Sequence, residues 1–191
     1  MSEDCSSFET PLQEIRLDSI PSDGLIIDIG GGGEGLLSRL EKDRVCVVDI
    51  SLNKIREAHI YGAPAQWVVS DGSQLCFRTG SFDIATLWFS LGYMRGWNRK
   101  KLVMSEIRRV LKQEGILFVL GAKIVCPEDR FLFNAKFTFP DGDVSQVGYR
   151  LAGNQNQTLE STVRALEDSG LVILERCDNG HWFKILGQPS I

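Results

Sequence analysis

The sequence predicts an α/β fold built on a doubly wound, mainly parallel sheet. Three observations lead there. Short apolar runs at residues 25–29, 45–50, 67–69, 82–89 and 116–120 have the length and composition of buried strands. Helical patterns separate most of them, which implies parallel strands joined by right-handed crossovers with both sheet faces covered. With 191 residues the chain is long enough for one domain with a substantial core, and no repeat, low-complexity tract or linker divides it.

Taken in order, residues 1–23 form a polar N-terminal extension punctuated by Pro11 and Pro21, in which Leu12, Ile15, Leu17 and Ile20 suit a short helix or an edge strand. The first sheet strand, 25–29, stops at Gly30 to Gly33. Leu36, Leu37 and Leu40 then share a helical face before the charged stretch 41–44. Strand 45–50, helix 53–60 and strand 67–69 follow. After strand 82–89, residues 99–113 place Val103, Ile107, Val110 and Leu111 at helical spacing, with Gly115 as the expected stop before strand 116–120.

The last third has a different period. Phe131, Phe133, Ala135, Phe137 and Phe139 alternate with Leu132, Asn134, Lys136 and Thr138, a half-buried strand pattern. The turn signal Pro140-Asp141-Gly142 separates it from Val147, Tyr149 and Leu151, which also alternate. An inserted antiparallel hairpin over 130–151 is expected. Its aromatic face is too apolar to stay in water, so it should extend the sheet edge and help to wall a substrate site. Leu159, Val163 and Leu166 mark a helix closed by Gly170. Strands 171–175 and 182–186 end the fold, one of them antiparallel to the rest.

Composition narrows the function. Lys plus Arg total 21 against 25 acids, a net charge of −4, which opposes general nucleic-acid binding. The longest apolar run, 115–122, is far short of the ~20 residues of a membrane span. The N-terminus is polar and acidic, unlike a secretory signal. Five cysteines are scattered singly and two histidines lie remote from them, so neither a zinc site nor a disulfide scaffold is indicated. A reduced, cytoplasmic protein that needs no metal is expected, with Trp67, Trp88 and Trp182 in the core and Glu106 and Arg109 on a solvated helix face.

The glycine turn carries the functional signal. Gly30, Gly32 and Gly35 match G-x-G-x-x-G after a strand and before a helix, a pattern shared by several nucleoside-binding families. Asp49 ends the second strand, where a carboxylate can accept ribose hydroxyls. Asp28 precedes the turn and Glu34 lies within it. A pyrophosphate there would meet both acids, each like-charge pair costing roughly 3–4 kcal/mol before screening at an effective dielectric of ~20. S-adenosylmethionine carries a sulfonium and an ammonium and no phosphate, so it suits the loop better than NAD.

On these residues the chain resembles the class I S-adenosylmethionine-dependent methyltransferases, and specifically their small single-domain members, with a Rossmann-like fold. Asp28, Gly30 and Gly32 fit the family's first motif. The third glycine position holds Glu34, and Gly35 comes one residue late. The resemblance implies that Asp49 holds the ribose and that Asp71, in Val69-Ser70-Asp71-Gly72, contacts the adenine amino group. Ser81-Phe82-Asp83-Ile84 and the segment 105–117 resemble the family's fourth-strand motif and the helix-turn-strand after it. The reacting methyl should then face the fourth strand's end, making Phe89 a cofactor contact and Tyr93 and Arg95, with Trp97 nearby, the candidates for acceptor contact. No Asn-Pro-Pro-Tyr-like motif follows that strand, which disfavours amino-methylation of nucleic-acid bases by the family's known route; the acceptor is not identified, and a small molecule is expected. No catalytic base is evident, since His59 and His181 lie elsewhere. The alternatives are an NAD-dependent oxidoreductase and a protein that binds S-adenosylmethionine without transferring its methyl.

Overall fold

The computed structural model describes residues 7–60 and 64–190. Two short strands, β1 (Ser7–Glu9) and β2 (Gln13–Arg16), come first. The α/β body follows: β3 (Ile26–Ile29), α1 (Leu36–Glu41), a 3-10 turn (Lys42–Arg44), β4 (Val45–Asp49), α2 (Leu52–Ile60) and β5 (Gln66–Val69). Next come β6 (Phe82–Trp88), a second 3-10 turn (Ser90–Tyr93), α3 (Trp97–Val110) and β7 (Leu111–Ala122). The chain ends with β8 (Arg130–Thr138), β9 (Val144–Ala152), α4 (Leu159–Asp168), β10 (Leu171–Asp178) and β11 (Trp182–Pro189).

Seven strands form the main sheet in the order β10-β11-β7-β6-β3-β4-β5. The contacts among β3 to β7 are parallel, and β11 alone runs against its neighbours. Alternation along the strands sorts the core into two faces. Ile27, Ile29, Ala85, Leu87 and Val119 meet Val103, Met104 and Ile107 of α3 and Val163 and Leu166 of α4. Ile26, Val45, Val47 and Ile84 meet Leu37 of α1 on the opposite face. The α4 helix begins in a reciprocal cap, Thr158 Oγ1 accepting from the Ser161 amide while Ser161 Oγ accepts from the Thr158 amide.

The structure corrects two of these expectations and decides a third. The helix expected over 99–113 ends at Val110, and the chain enters β7 at once, with Leu111 paired to Phe82. Register then shifts so that Ile84 pairs with Ile116, and Gly115 serves this irregularity, since a Cβ there would press on the carbonyls of Lys112 and Asp83. Of the two forms open to the residues around Ile15, they take the edge strand. Glu106 and Arg109 are a half-buried clamp: Glu106 accepts the Leu75 amide, and Arg109 donates to Glu106 and to the carbonyls of Leu75 and Phe77.

The hairpin forms, from Arg130↔Ala152 to Thr138↔Val144, yet it does not extend the main sheet. One edge of β8 is taken in turn by β1 and β2, both parallel, so the hairpin and the N-terminal strands make a second, four-stranded sheet. Phe131, Phe133, Ala135 and Phe137 are buried against Ile15, Leu36, Phe89, Leu120 and Ile124. This cluster covers the ends of β6 and β7, and it lets the hairpin overhang the place where the strand order reverses.

Candidate active site

A cleft of about 590 Å³ opens at the carboxyl ends of β3, β4 and β6, the switch point at which open α/β sheets take ligands. Asp28, Gly30, Gly32, Asp49, Asp71, Tyr93 and Arg95 all line it. The volume falls within the ~300–1,000 Å³ usual for small-molecule sites.

The glycine turn is shaped by the acids beneath it. A Cβ on Gly31 would overlap Asp28 Oδ2, and one on Gly32 would lie 2.7 Å from Asp49 Oδ2. The absence of side chains lets the loop settle onto both carboxylates. Asp49 accepts the Gly32 amide at 3.1 Å on one oxygen and the Ser51 amide at 2.8 Å on the other. A carboxylate offers about four lone-pair positions, so two remain for hydroxyl donors in the cleft. Asp49 thus ties the loop to the end of β4 and still presents acceptor capacity.

Asp28 is 3% exposed, and Thr86 Oγ1 donates to its Oδ1 at 2.7 Å. Burial pushes its pKa up to about 7; the Thr86 hydrogen bond opposes the shift, and the neighbouring Asp49 adds to it. A cation arriving beside it would favour the ionised form. Glu34 turns the other way and accepts from Ser145 Oγ of β9 at 3.2 Å, which links the glycine loop to the hairpin. Asp71 accepts the Ser73 amide and hydroxyl on one oxygen and Arg99 on the other at 2.6 Å. The Ser73 bonds first, and then Arg99, hold its pKa below the usual carboxylate range.

Phe89 requires a correction. At the end of β6 it takes a left-handed backbone conformation, φ 58°, and its ring stacks on Phe133 and Tyr149 at 5.0 and 5.2 Å, outside the cleft. Its neighbours Trp88 and Ser90 line the cleft instead. Trp88 Nε1 and Ser90 Oγ are buried there without a hydrogen-bond partner. Orphaned polar atoms at a cleft wall fit a ligand that supplies polar groups. Trp97 lies away from the cleft, beside a second cavity.

Sequence reasoning missed Ser90, Lys54, Arg99 and Tyr149 as lining residues. Tyr149 had a signal, since it sits on the alternating face of the second hairpin strand. Burial raises its phenol well above the ordinary value, with Tyr93, Glu34 and Asp28 adding to the shift. Burial and then Asp49 raise Tyr93. Both phenols therefore remain neutral hydrogen-bond donors.

Residues 27–119 match the family profile described as "Methyltransferase domain". That profile covers just under half of the chain and supports a class I S-adenosylmethionine-dependent methyltransferase family. The same match supports S-adenosylmethionine as the cofactor and disfavours the NAD alternative. Solved structures share the fold. A SAM-dependent methyltransferase from Methanosarcina mazei aligns with TM-score 0.65 at 20% identity, covering 90% of this chain and 95% of that one. A TehB-like SAM-dependent methyltransferase from Corynebacterium glutamicum gives 0.62 at 17% identity, covering 90% and 83%. A curated relative, the mitochondrial arginine-hydroxylase NDUFAF5 of Danio rerio, is 28% identical over 103 residues; the match spans 52% of this chain and 30% of that protein.

Among the described residues, no group of His, Cys, Asp and Glu is arranged to hold a metal ion, and no helix is long and apolar enough to cross a membrane.

Proposed function

We propose that the protein transfers the methyl group of S-adenosylmethionine to a small-molecule acceptor in the cytoplasm, without a nucleic-acid, membrane or metal partner. The observation that carries this reading is the placement of β9. Val147, Gly148 and Tyr149 line the same cleft as the glycine turn, so the hairpin roofs the acceptor side and leaves room for a small molecule. The acidic net charge and the unclustered cysteines support the absence of nucleic acid and the reducing compartment.

S-adenosylmethionine, when bound, supplies an activated methyl on a sulfonium that leaves as a neutral thioether. The chain's part is to orient and exclude water. Asp49 and the glycine loop fix the nucleoside end, and Asp28 favours the cationic end. Tyr149 and Ser90 offer hydroxyls that can align an acceptor for in-line attack, a contribution of proximity and orientation. Neither phenol is a base at neutral pH, so the acceptor fitting this site is one that needs little help in losing a proton.

Incubation with methyl-labelled S-adenosylmethionine and a cell extract split into small-molecule, protein and nucleic-acid fractions tests the reading. Label should appear in the small-molecule fraction. Label in RNA, DNA or protein overturns the acceptor class. A protein that binds the cofactor and labels nothing supports the binding-only alternative.

A further inference from the structure

A second cavity, of about 220 Å³, adjoins the main cleft and shares Arg95 with it. Its wall is made by the start of α3, with Gly96, Trp97 and Lys100, and by the loop after β9, with Gly153 and Gln155.

Lys100 is unusual for its position. It is 1% exposed, yet its ammonium has no carboxylate partner among the described residues, whereas its neighbours Arg99 and Lys101 pair with Asp71 and Asp168. Two amides solvate it, Gln157 Oε1 at 2.6 Å and Gln155 Oε1 at 3.0 Å. Those amides are held in place by their own donors: Gln155 Nε2 donates to the carbonyls of Gly92 and Ala152, and Gln157 Nε2 to that of Ala122. Trp97 lies beneath the ammonium, 4.7 Å from nitrogen to ring centre. All these partners are neutral, so they solvate the charge without cancelling it, and the third ammonium donor has no partner among the described residues. A buried cation left in this state is costly unless a counter-charge arrives.

Two further features add positive potential. The fourteen-residue helix α3 is preceded at its N-cap by Gly96, which has no side chain to cap the first amides, and such a terminus favours an anion. Arg95 lines the cavity without an ion-pair partner among the described residues. Burial lowers the Lys100 pKa only to about 8, so the group is charged at neutral pH.

We propose that this second cavity is an anion subsite, which seats a carboxylate or phosphate group of the methyl acceptor while the rest of that molecule passes Arg95 into the main cleft. Its role toward the acceptor rests on the methyltransferase reading; its affinity for anions does not.

The test is a titration of isotope-labelled full-length protein at pH 7 and constant ionic strength, following the amides of residues 96–100 and 153–155 by NMR. Separate arms use sodium acetate, inorganic phosphate and sodium chloride. Saturable shifts at these amides with acetate or phosphate, and none with chloride, support the subsite, and the tighter of the two anions identifies the headgroup. Lys100→Met should raise the apparent dissociation constant at least tenfold. Shifts in the wild-type protein that are absent, or the same with chloride as with acetate and phosphate, or saturable shifts unchanged in a folded Lys100→Met, overturn the proposal. S-adenosylmethionine titrated into the wild type separates the two claims. Cofactor binding without anion binding removes only the subsite, and anion binding without cofactor binding removes only the methyltransferase reading.

Discussion

Asp28 holds a buried carboxyl whose pKa has moved from an ordinary 3.8 to about 7, and the shift fixes the sign of its effect on stability. Between those values the folded state keeps a proton that the unfolded state has released, so stability falls as pH rises, by about 1.4 kcal/mol per pH unit while both pKa values bracket the pH. Above pH 7 the penalty is complete and constant. Asp28→Asn should therefore stabilise the protein increasingly from pH 4 to pH 7, read as a widening gap between the two melting temperatures. Parallel melting curves across that range would falsify the assignment. The same carboxyl should weaken the binding of a cationic ligand while it is protonated. S-adenosylmethionine affinity should rise through pH 6 to 7.5, with proton release visible as a buffer-dependent enthalpy in calorimetry.

Asp49 acts differently, because both its oxygens already hold loop amides. Hydrogen bonds to a charged group contribute roughly 1.5–3 kcal/mol, so Asp49→Ala should weaken S-adenosylmethionine by about tenfold to a hundredfold. Asp49→Asn should recover part of that loss, since its amide keeps one acceptor for either Gly32 or Ser51. Titration calorimetry on the two variants checks the order. Equal affinity in Asp49→Ala and wild type would remove the carboxylate from the site.

At the scale of elements, the hairpin links packing to chemistry. The Phe133 ring is fully buried between the second sheet and Phe89, and Phe89 stacks in turn on Tyr149. Phe133→Ala should cost about 3–5 kcal/mol of stability through the cavity it leaves. Tyr149→Phe keeps the ring and removes the hydroxyl, so it should lower turnover several-fold with little change in melting temperature. Denaturant unfolding and steady-state rates together separate the two. A Tyr149→Phe variant with wild-type turnover would leave the hairpin as a roof and nothing more.

The same hairpin shows where the sequence was readable. Strict alternation of five core positions made its strands legible, as it did the parallel strands with their continuous apolar runs. Its partners were not legible, because β1 and β2 are three and four residues long and more than a hundred residues away in the chain. Propensity carries no information about such distant pairing. The acids of the site were visible because a glycine turn between carboxylates has few explanations. Ser90 and the Lys100 environment were hidden, since each depends on which loops the fold brings together. Phe89 was named from its place at the fourth strand's end; its left-handed backbone turns the ring onto Phe133 and Tyr149 instead of the cleft.

The molecule as a whole opens its cleft between two sheets with different origins. The main sheet delivers Asp28, Asp49 and the glycine loop, and the second sheet delivers Val147 and Tyr149 from above. Glu34 and Ser145 already join the two across the loop. A ligand in the cleft touches both, so its binding energy should add to the stability of the entire unit. At a hundredfold excess over its dissociation constant, a ligand of the native state adds about 2.7 kcal/mol, and for a chain of this size that raises the melting temperature by about 5–10 °C. S-adenosylhomocysteine should produce this shift in a single cooperative transition, with the amides of β8 and β9 and those of the glycine loop gaining hydrogen-exchange protection together. If protection rises around the glycine loop and stays unchanged in the hairpin, the ligand does not reach the second sheet, and the roof assigned to Tyr149 has to be withdrawn.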